Sequence, residues 1–245
     1  MFKLPVEKLN DFFAAIASAQ SLYMPVDGND GRASYKKWSD GVKLSNALNT
    51  VRSAKDFFFP QTENLMDFKM EGKNITIEDT RKECEDFVLF GVRACDARSF
   101  DILDSVYLAN PVDTYYQNRR SHGTVITVAC TRPGESCFCH VFGIDATDPA
   151  GDVTAWETGE GFFFRANTEK GEALLAAAGD LLSEKDAAAV EEQRAAVKAV
   201  QAKMPLATLT AEGFGGGVTR ELFDRPEWKT LSEACLGCGS CTFHC

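Results

Sequence analysis

Two short apolar runs, FVLFGV at 87–92 and TVITVAC at 124–130, most limit how this chain folds. The first has no polar alternation, which predicts a strand covered on both faces, and the second is again β-branched and apolar. Between them RACDARSFDILDSVYL places Phe100, Leu103, Val106 and Tyr107 at helical spacing, so a helix starts near Asp96. Strand, loop, helix, strand predicts an α/β core whose sheet is at least partly parallel, with α+β as the alternative. A hairpin is expected from Val153–Glu157 and Gly161–Arg165 around Thr158-Gly159-Glu160.

The flanking segments read less uniformly. Residues 5–20 form an amphipathic helix with Leu9, Phe12, Phe13 and Ile16 on one face. From there to about Asp40 the chain is rich in Gly, Asp and other polar residues and reads as loop. Leu44–Phe59 has a helical start that runs into Phe57-Phe58-Phe59-Pro60, where the proline favours an extended residue before it. Thr168–Ala178 is a helix capped by Thr168. Ser183–Met204 is a longer one, with Ser183 and Asp186 at its start and Pro205 at its end. Gly213, Gly215, Gly216 and Gly217 then form a connector, so the expected organisation is an α/β domain over 1–210 and a second domain over 211–245. The architecture expected is a mixed sheet with flanking helices, followed by a smaller second segment.

That second segment ends in SEACLGCGSCTFHC, which spaces Cys235, Cys238, Cys241 and Cys245 as C-x₂-C-x₂-C-x₃-C. This is the bacterial ferredoxin run. Thiolates two residues apart wrap a tight loop around one face of a cubane, and Gly237 and Gly239 let backbone amides approach its sulfurs. Zinc more usually takes two separated C-x₂-C pairs. The four cysteines are therefore expected to be metal ligands for [4Fe–4S] chemistry. In two-cluster ferredoxins the fourth cysteine of such a run serves the other cluster, so Cys245 is expected to reach for a second cluster whose run would follow. The expectation is a ferredoxin domain cut short at Cys245.

Nine cysteines in a chain of 245 residues, an odd number grouped at two places, fit metal binding better than a disulfide framework. The second group is Cys95, Cys130, Cys137 and Cys139. Cys95 and Cys130 close two predicted strands, and adjacent parallel strands bring those ends together at the edge where α/β sheets bind ligands. Cys137 and Cys139 loop over that edge, and Arg93, Arg98 and Arg132 flank it. Four thiols there are a candidate cofactor site or a reactive-thiol pocket; buried cysteines serving as small apolar residues are the other reading. His140 is a lesser candidate ligand, and Cys84 reads as structural.

A formal net charge of −10 without a basic patch argues against nucleic acid, and no apolar run is long enough to span a membrane. The opening MFKLPVEKLNDFFAAIASAQ is not a secretory signal, which predicts a cytoplasmic protein with reduced thiols.

GVRACDARSFDILDSVYL, ITVACTRPGESCFC and EWKTLSEACLGCGSC together resemble the electron-transfer subunits beside nickel–iron sulfhydrogenases and anaerobic sulfite reductases, namely the sulfhydrogenase beta and sulfite reductase A subunits. The resemblance runs from about Phe57 to Cys245. It implies a non-catalytic relay that passes single electrons between a flavin-containing, NAD(P)H-reacting partner and a catalytic partner. It also implies two ferredoxin-type [4Fe–4S] clusters, with Cys235, Cys238, Cys241 and Cys245 as ligands. The missing second run departs from the family pattern. A redox enzyme working at Cys95, Cys130, Cys137 and Cys139, or a zinc-stabilised interaction module, are the alternatives.

Overall fold

The computed structural model describes residues 1–212 and 219–241, so Gly213–Gly217 and Cys245 lie outside the described residues. It divides into two compact units, Met1–Thr208 and Leu209–Cys245. In the first, β1 (Phe2–Leu4), α1 (Leu9–Ala19), β2 (Ser21–Asp27) and β3 (Ala33–Lys37) open the chain. A hairpin of β4 (Met66–Glu71) and β5 (Asn74–Asp79) follows, then β6 (Phe87–Val92), α2 (Ala94–Tyr107), α3 (Thr114–His122) and β7 (Gly123–Val128). The unit closes with β8 (Val153–Thr158), β9 (Gly161–Ala166), α4 (Glu169–Ala177), β10 (Ser183–Glu184) and α5 (Ala188–Gln201).

Eight of these strands form one mixed sheet in the order β10-β1-β9-β8-β7-β6-β2-β3. Its centre is parallel, from β2 through β6 and β7 to β8, and antiparallel strands flank it on both sides. The expected α/β architecture is therefore present, and the apolar runs account for it. Every residue of β7 is buried, and every residue of β6 except Gly91. Val88 and Phe90 of β6 pack with Phe12, Phe13 and Ile16 of α1 and Leu174 and Leu175 of α4. Leu89 faces the opposite way, towards Ala97 and Phe100 of α2 and Tyr116 of α3. A strand sandwiched between helices has no solvent face, so its sequence shows no alternation. Each fully buried side chain in these layers contributes roughly 1.5–3 kcal/mol by leaving water.

Several expected elements are where the sequence puts them. The α1 face carries Phe12, Phe13 and Ile16 into the core, and the Thr168 hydroxyl accepts the Gly171 amide at 3.3 Å, which caps α4. The β8–β9 hairpin turns at Thr158–Gly161. Gly161 has φ +126°, and a Cβ there would stand 2.4 Å from the Leu4 carbonyl oxygen, so only glycine lets β1 lie against β9.

Three readings are corrected. Residues 21–40 are not loop: Ser21–Asp27 and Ala33–Lys37 pair as an antiparallel hairpin, and the Gly- and Asp-rich residues form only its turn. The segment 44–53 is irregular, and the first helical turn near the phenylalanines is the 3₁₀ turn Ala54–Phe57. The last long helix begins at Ala188, because Ser183 and Glu184 pair with Lys3 and Phe2 as an edge strand. Asp186 still serves its start, accepting the Ala188 amide at 3.1 Å. Among the described residues no helix is long and apolar enough to cross a membrane.

The second unit contains α6 (Thr219–Phe223) and α7 (Glu227–Ser232). The Trp228 indole donates to the Leu222 carbonyl, and Arg225 pairs with Glu227 at 2.7 Å. Phe223, Leu231 and Leu236 are largely exposed.

Candidate metal and thiol sites

The carboxyl edge of the parallel sheet gathers the inner cysteines. Val92 of β6 is registered with Thr127 of β7, and Cys95 and Cys130 each follow that pair by three residues. Two parallel strands, paired with one register shift between Phe90 and Val92, thus bring two thiols towards one edge. Cys95 lies in the first turn of α2. The Cys130 amide donates to the Ala146 carbonyl at 2.8 Å, which fixes the chain as it leaves the sheet. Cys137 and Cys139 return over that edge on the following loop. The Cys137 amide donates to the Gly134 carbonyl at 2.9 Å, and the Gly134 amide donates to the Cys137 Sγ at 3.3 Å. Cys139 begins the 3₁₀ turn Cys139–Phe142, and its carbonyl accepts the Ile144 amide at 3.2 Å.

The four thiols interact with one another. The Cys95 thiol donates a hydrogen bond to the Cys139 sulfur, which pushes Cys95 up and draws Cys139 down from the ordinary thiol range. Cys130 lies within electrostatic reach of Cys95, Cys137 and Cys139. Burial raises the Cys130 thiol, and the Arg93 guanidinium acts against that rise. Strand register and the following loop thus place Cys95, Cys130, Cys137 and Cys139 towards the same sheet edge, without gathering three of them on one metal position. The direct Cys95–Cys139 bond is a contact that spacing alone does not reveal.

Of the three flanking arginines, only Arg93 acts on the group. Its guanidinium donates to the carbonyls of Leu48 at 3.3 Å, Ala129 at 3.3 Å and Ala47 at 3.4 Å, tying the 47–48 loop to the end of β7. Arg132 instead donates to the Asn46 carbonyl at 2.9 Å, and Arg98 pairs with Asp101 at 3.1 Å. A cavity of about 430 Å³ opens beside Arg93, lined also by Tyr35, Asn46, Asp96 and Arg132. Sequence reasoning missed Tyr35 and the 44–50 loop as neighbours of this edge, since neither carries a motif. Cys84 stands elsewhere, near Arg119, Asp86 and Glu63, and burial raises its thiol.

In the second unit Cys235, Cys238 and Cys241 are exposed. The Cys235 amide donates to the Ser232 carbonyl at 2.9 Å, closing α7, and the Gly237 amide donates to the Cys235 Sγ at 3.4 Å. Gly237 and Gly239 have φ +66° and +72°, the left-handed turns that a C-x-G-C-G loop needs to fold back on a ligand. This donor set and its amide-to-sulfur bond fit an iron–sulfur cluster. Among the described residues no three or more His, Cys, Asp or Glu side chains converge on a position for one metal ion.

No protein-family model matches the chain, and no solved structure matches it. It is similar to the sulfhydrogenase 2 subunit beta of Pyrococcus furiosus, at 30% identity over 246 residues that cover 99% of this chain and 70% of that protein. At that identity and coverage, the chain belongs to the sulfhydrogenase beta subunit family.

Proposed function

We propose that the chain is an electron-transfer subunit of a hydrogenase-type redox complex and carries its electrons on iron–sulfur clusters. The observation that carries this reading is the terminal loop, where glycines with positive φ turn the chain and the Gly237 amide donates to the Cys235 sulfur. Cys235, Cys238, Cys241 and Cys245 are its cluster ligands. When bound, a [4Fe–4S] cluster supplies a reversible one-electron couple and no bond-making.

The chain's own residues supply the setting. An amide hydrogen bond to a ligand sulfur withdraws charge from it and raises the potential, and the exposure of Cys235, Cys238 and Cys241 leaves the loop open to an approaching donor or acceptor. The partners we assign are a flavin-containing, NAD(P)H-reacting subunit on one side and a catalytic subunit of hydrogenase or sulfite reductase type on the other. A cytoplasmic location accords with thiols that must stay reduced to bind iron.

The test is anaerobic purification of the full chain, followed by dithionite reduction monitored by electron paramagnetic resonance. Iron matched by acid-labile sulfide and a reduced-state signal that Cys238→Ala diminishes are expected. A zinc-loaded, sulfide-free protein overturns the reading.

A further inference from the structure

The β4–β5 hairpin, MDFKMEGKNITIED at 66–79, alternates apolar and polar residues, the pattern of a sheet with one face covered and the other in water. Its register gathers the apolar residues on one face. Phe68 stands opposite Ile77 and Met70 opposite Ile75, with Met66 two residues before Phe68 on the same side. The other face is polar, and Lys69 there pairs with Glu71 at 3.2 Å.

The apolar face is open. Met66 is 55% exposed, Phe68 70%, Met70 64%, Ile75 62% and Ile77 66%. None of the five belongs to a buried cluster among the described residues. A two-stranded hairpin is marginal in water by itself, so such a face requires a second layer. Its base is nonetheless held. The Tyr115 hydroxyl donates to the Leu65 carbonyl at 2.5 Å, and the Arg81 guanidinium donates to the Thr114 hydroxyl at 2.6 Å. The hairpin is thus an anchored arm with one apolar side in water.

We propose that this arm dimerises the protein: its apolar face packs against the same face of a second copy of the chain about a two-fold axis. Three observations select that occupant. The first is area. Five side chains of this size, each more than half exposed, offer about 600–700 Å² per chain, so two faces together bury about 1,200–1,400 Å². That reaches the roughly 1,200 Å² at which specific interfaces begin, and falls short of the roughly 2,000 Å² or more of permanent complexes between different subunits.

The second is outline. Two six-residue strands make a plane of about 20 Å by 10 Å, and an identical plane covers it completely, with side chains interleaved as in stacked sheets. The third is charge. A formal net charge of −10 makes two copies repel. This face carries no charged side chain until its base, where Asp79 is paired with Arg81 at 2.5 Å, so contact here sets no like charges against each other. No cysteine takes part, so a failed iron analysis leaves the inference standing.

The experiment is sedimentation equilibrium of the anaerobically purified full chain between about 1 and 100 µM, where a reversible dimer with a Kd of about 1–10 µM is expected. Phe68→Asp sets a charge into the apolar contact on both copies and should weaken the dimer at least tenfold. Lys69→Ala, on the polar face, should change it less than about twofold. Raising salt from about 0.05 to 0.5 M should tighten the dimer, because it screens the repulsion and leaves the apolar contact in place. If circular dichroism shows that Phe68→Asp disturbs the fold, Ile75→Asp makes the same comparison from the other strand. A chain that stays monomeric at about 100 µM overturns the proposal and leaves the face to a different subunit. A dimer that both aspartate variants leave intact overturns it as well, since the contact then lies elsewhere.

Discussion

The two cysteine groups are built in opposite ways. The terminal group is local: Cys235, Cys238 and Cys241 lie within seven residues, are exposed, and are organised by their own glycines and amides. The inner group is assembled by topology. Cys95 and Cys139 are 44 positions apart, and the parallel pairing of β6 with β7 brings the start of α2 and the loop after β7 to one edge. A local site depends on backbone conformation, so it fails through single-residue strain. A topological site depends on the sheet edge, so it fails when the edge loosens.

This contrast can be broken most forcefully at Arg93. Arg93→Ala removes three hydrogen bonds from a charged donor and should cost about 2–4 kcal/mol in stability. Denaturant unfolding would register this, with an unchanged iron signal from the terminal run. A loss below about 0.5 kcal/mol would show that the arginine does not hold the edge.

The glycines give a finer test. Gly237→Ala places a side chain at φ +66°, a strain of about 1–2 kcal/mol, and should lower iron occupancy of the terminal run roughly tenfold in a limiting-iron titration. Gly134→Ala keeps its amide donor and needs no positive φ. Its new Cβ meets the tip of Leu48 at 3.0 Å and the Cys137 Sγ at 3.7 Å, so iron occupancy of the terminal run should change less than about threefold. Equal effects at the two glycines would erase the local-versus-topological distinction.

Much of this was legible in the residues, for identifiable reasons. β6, β7, α2 and the β8–β9 hairpin could be read because burial on both faces or a tight turn leaves a strong pattern. The placement of Cys95 and Cys130 after two paired parallel strands followed from the same pattern. The β2–β3 hairpin was hidden because its Gly- and Asp-rich turn dominates the composition of a window that also holds SLYMPVD and ASYKK. In α3, TYYQNRRSH buries only Tyr116, so no apolar stripe announces it. The edge strand Ser183–Glu184 is two residues long and carries no periodicity at all. At the inner site, Arg93 could be noticed as a neighbouring charge. Its three carbonyl partners and the Cys95–Cys139 bond depend on loop conformations that short-range pattern does not encode.

The most direct test of the proposed iron–sulfur site is anomalous scattering at the iron edge from crystals of the anaerobically purified full chain. The account predicts an iron peak against Cys235, Cys238 and Cys241. A terminal run without iron, or with a peak only at the zinc edge, would contradict it.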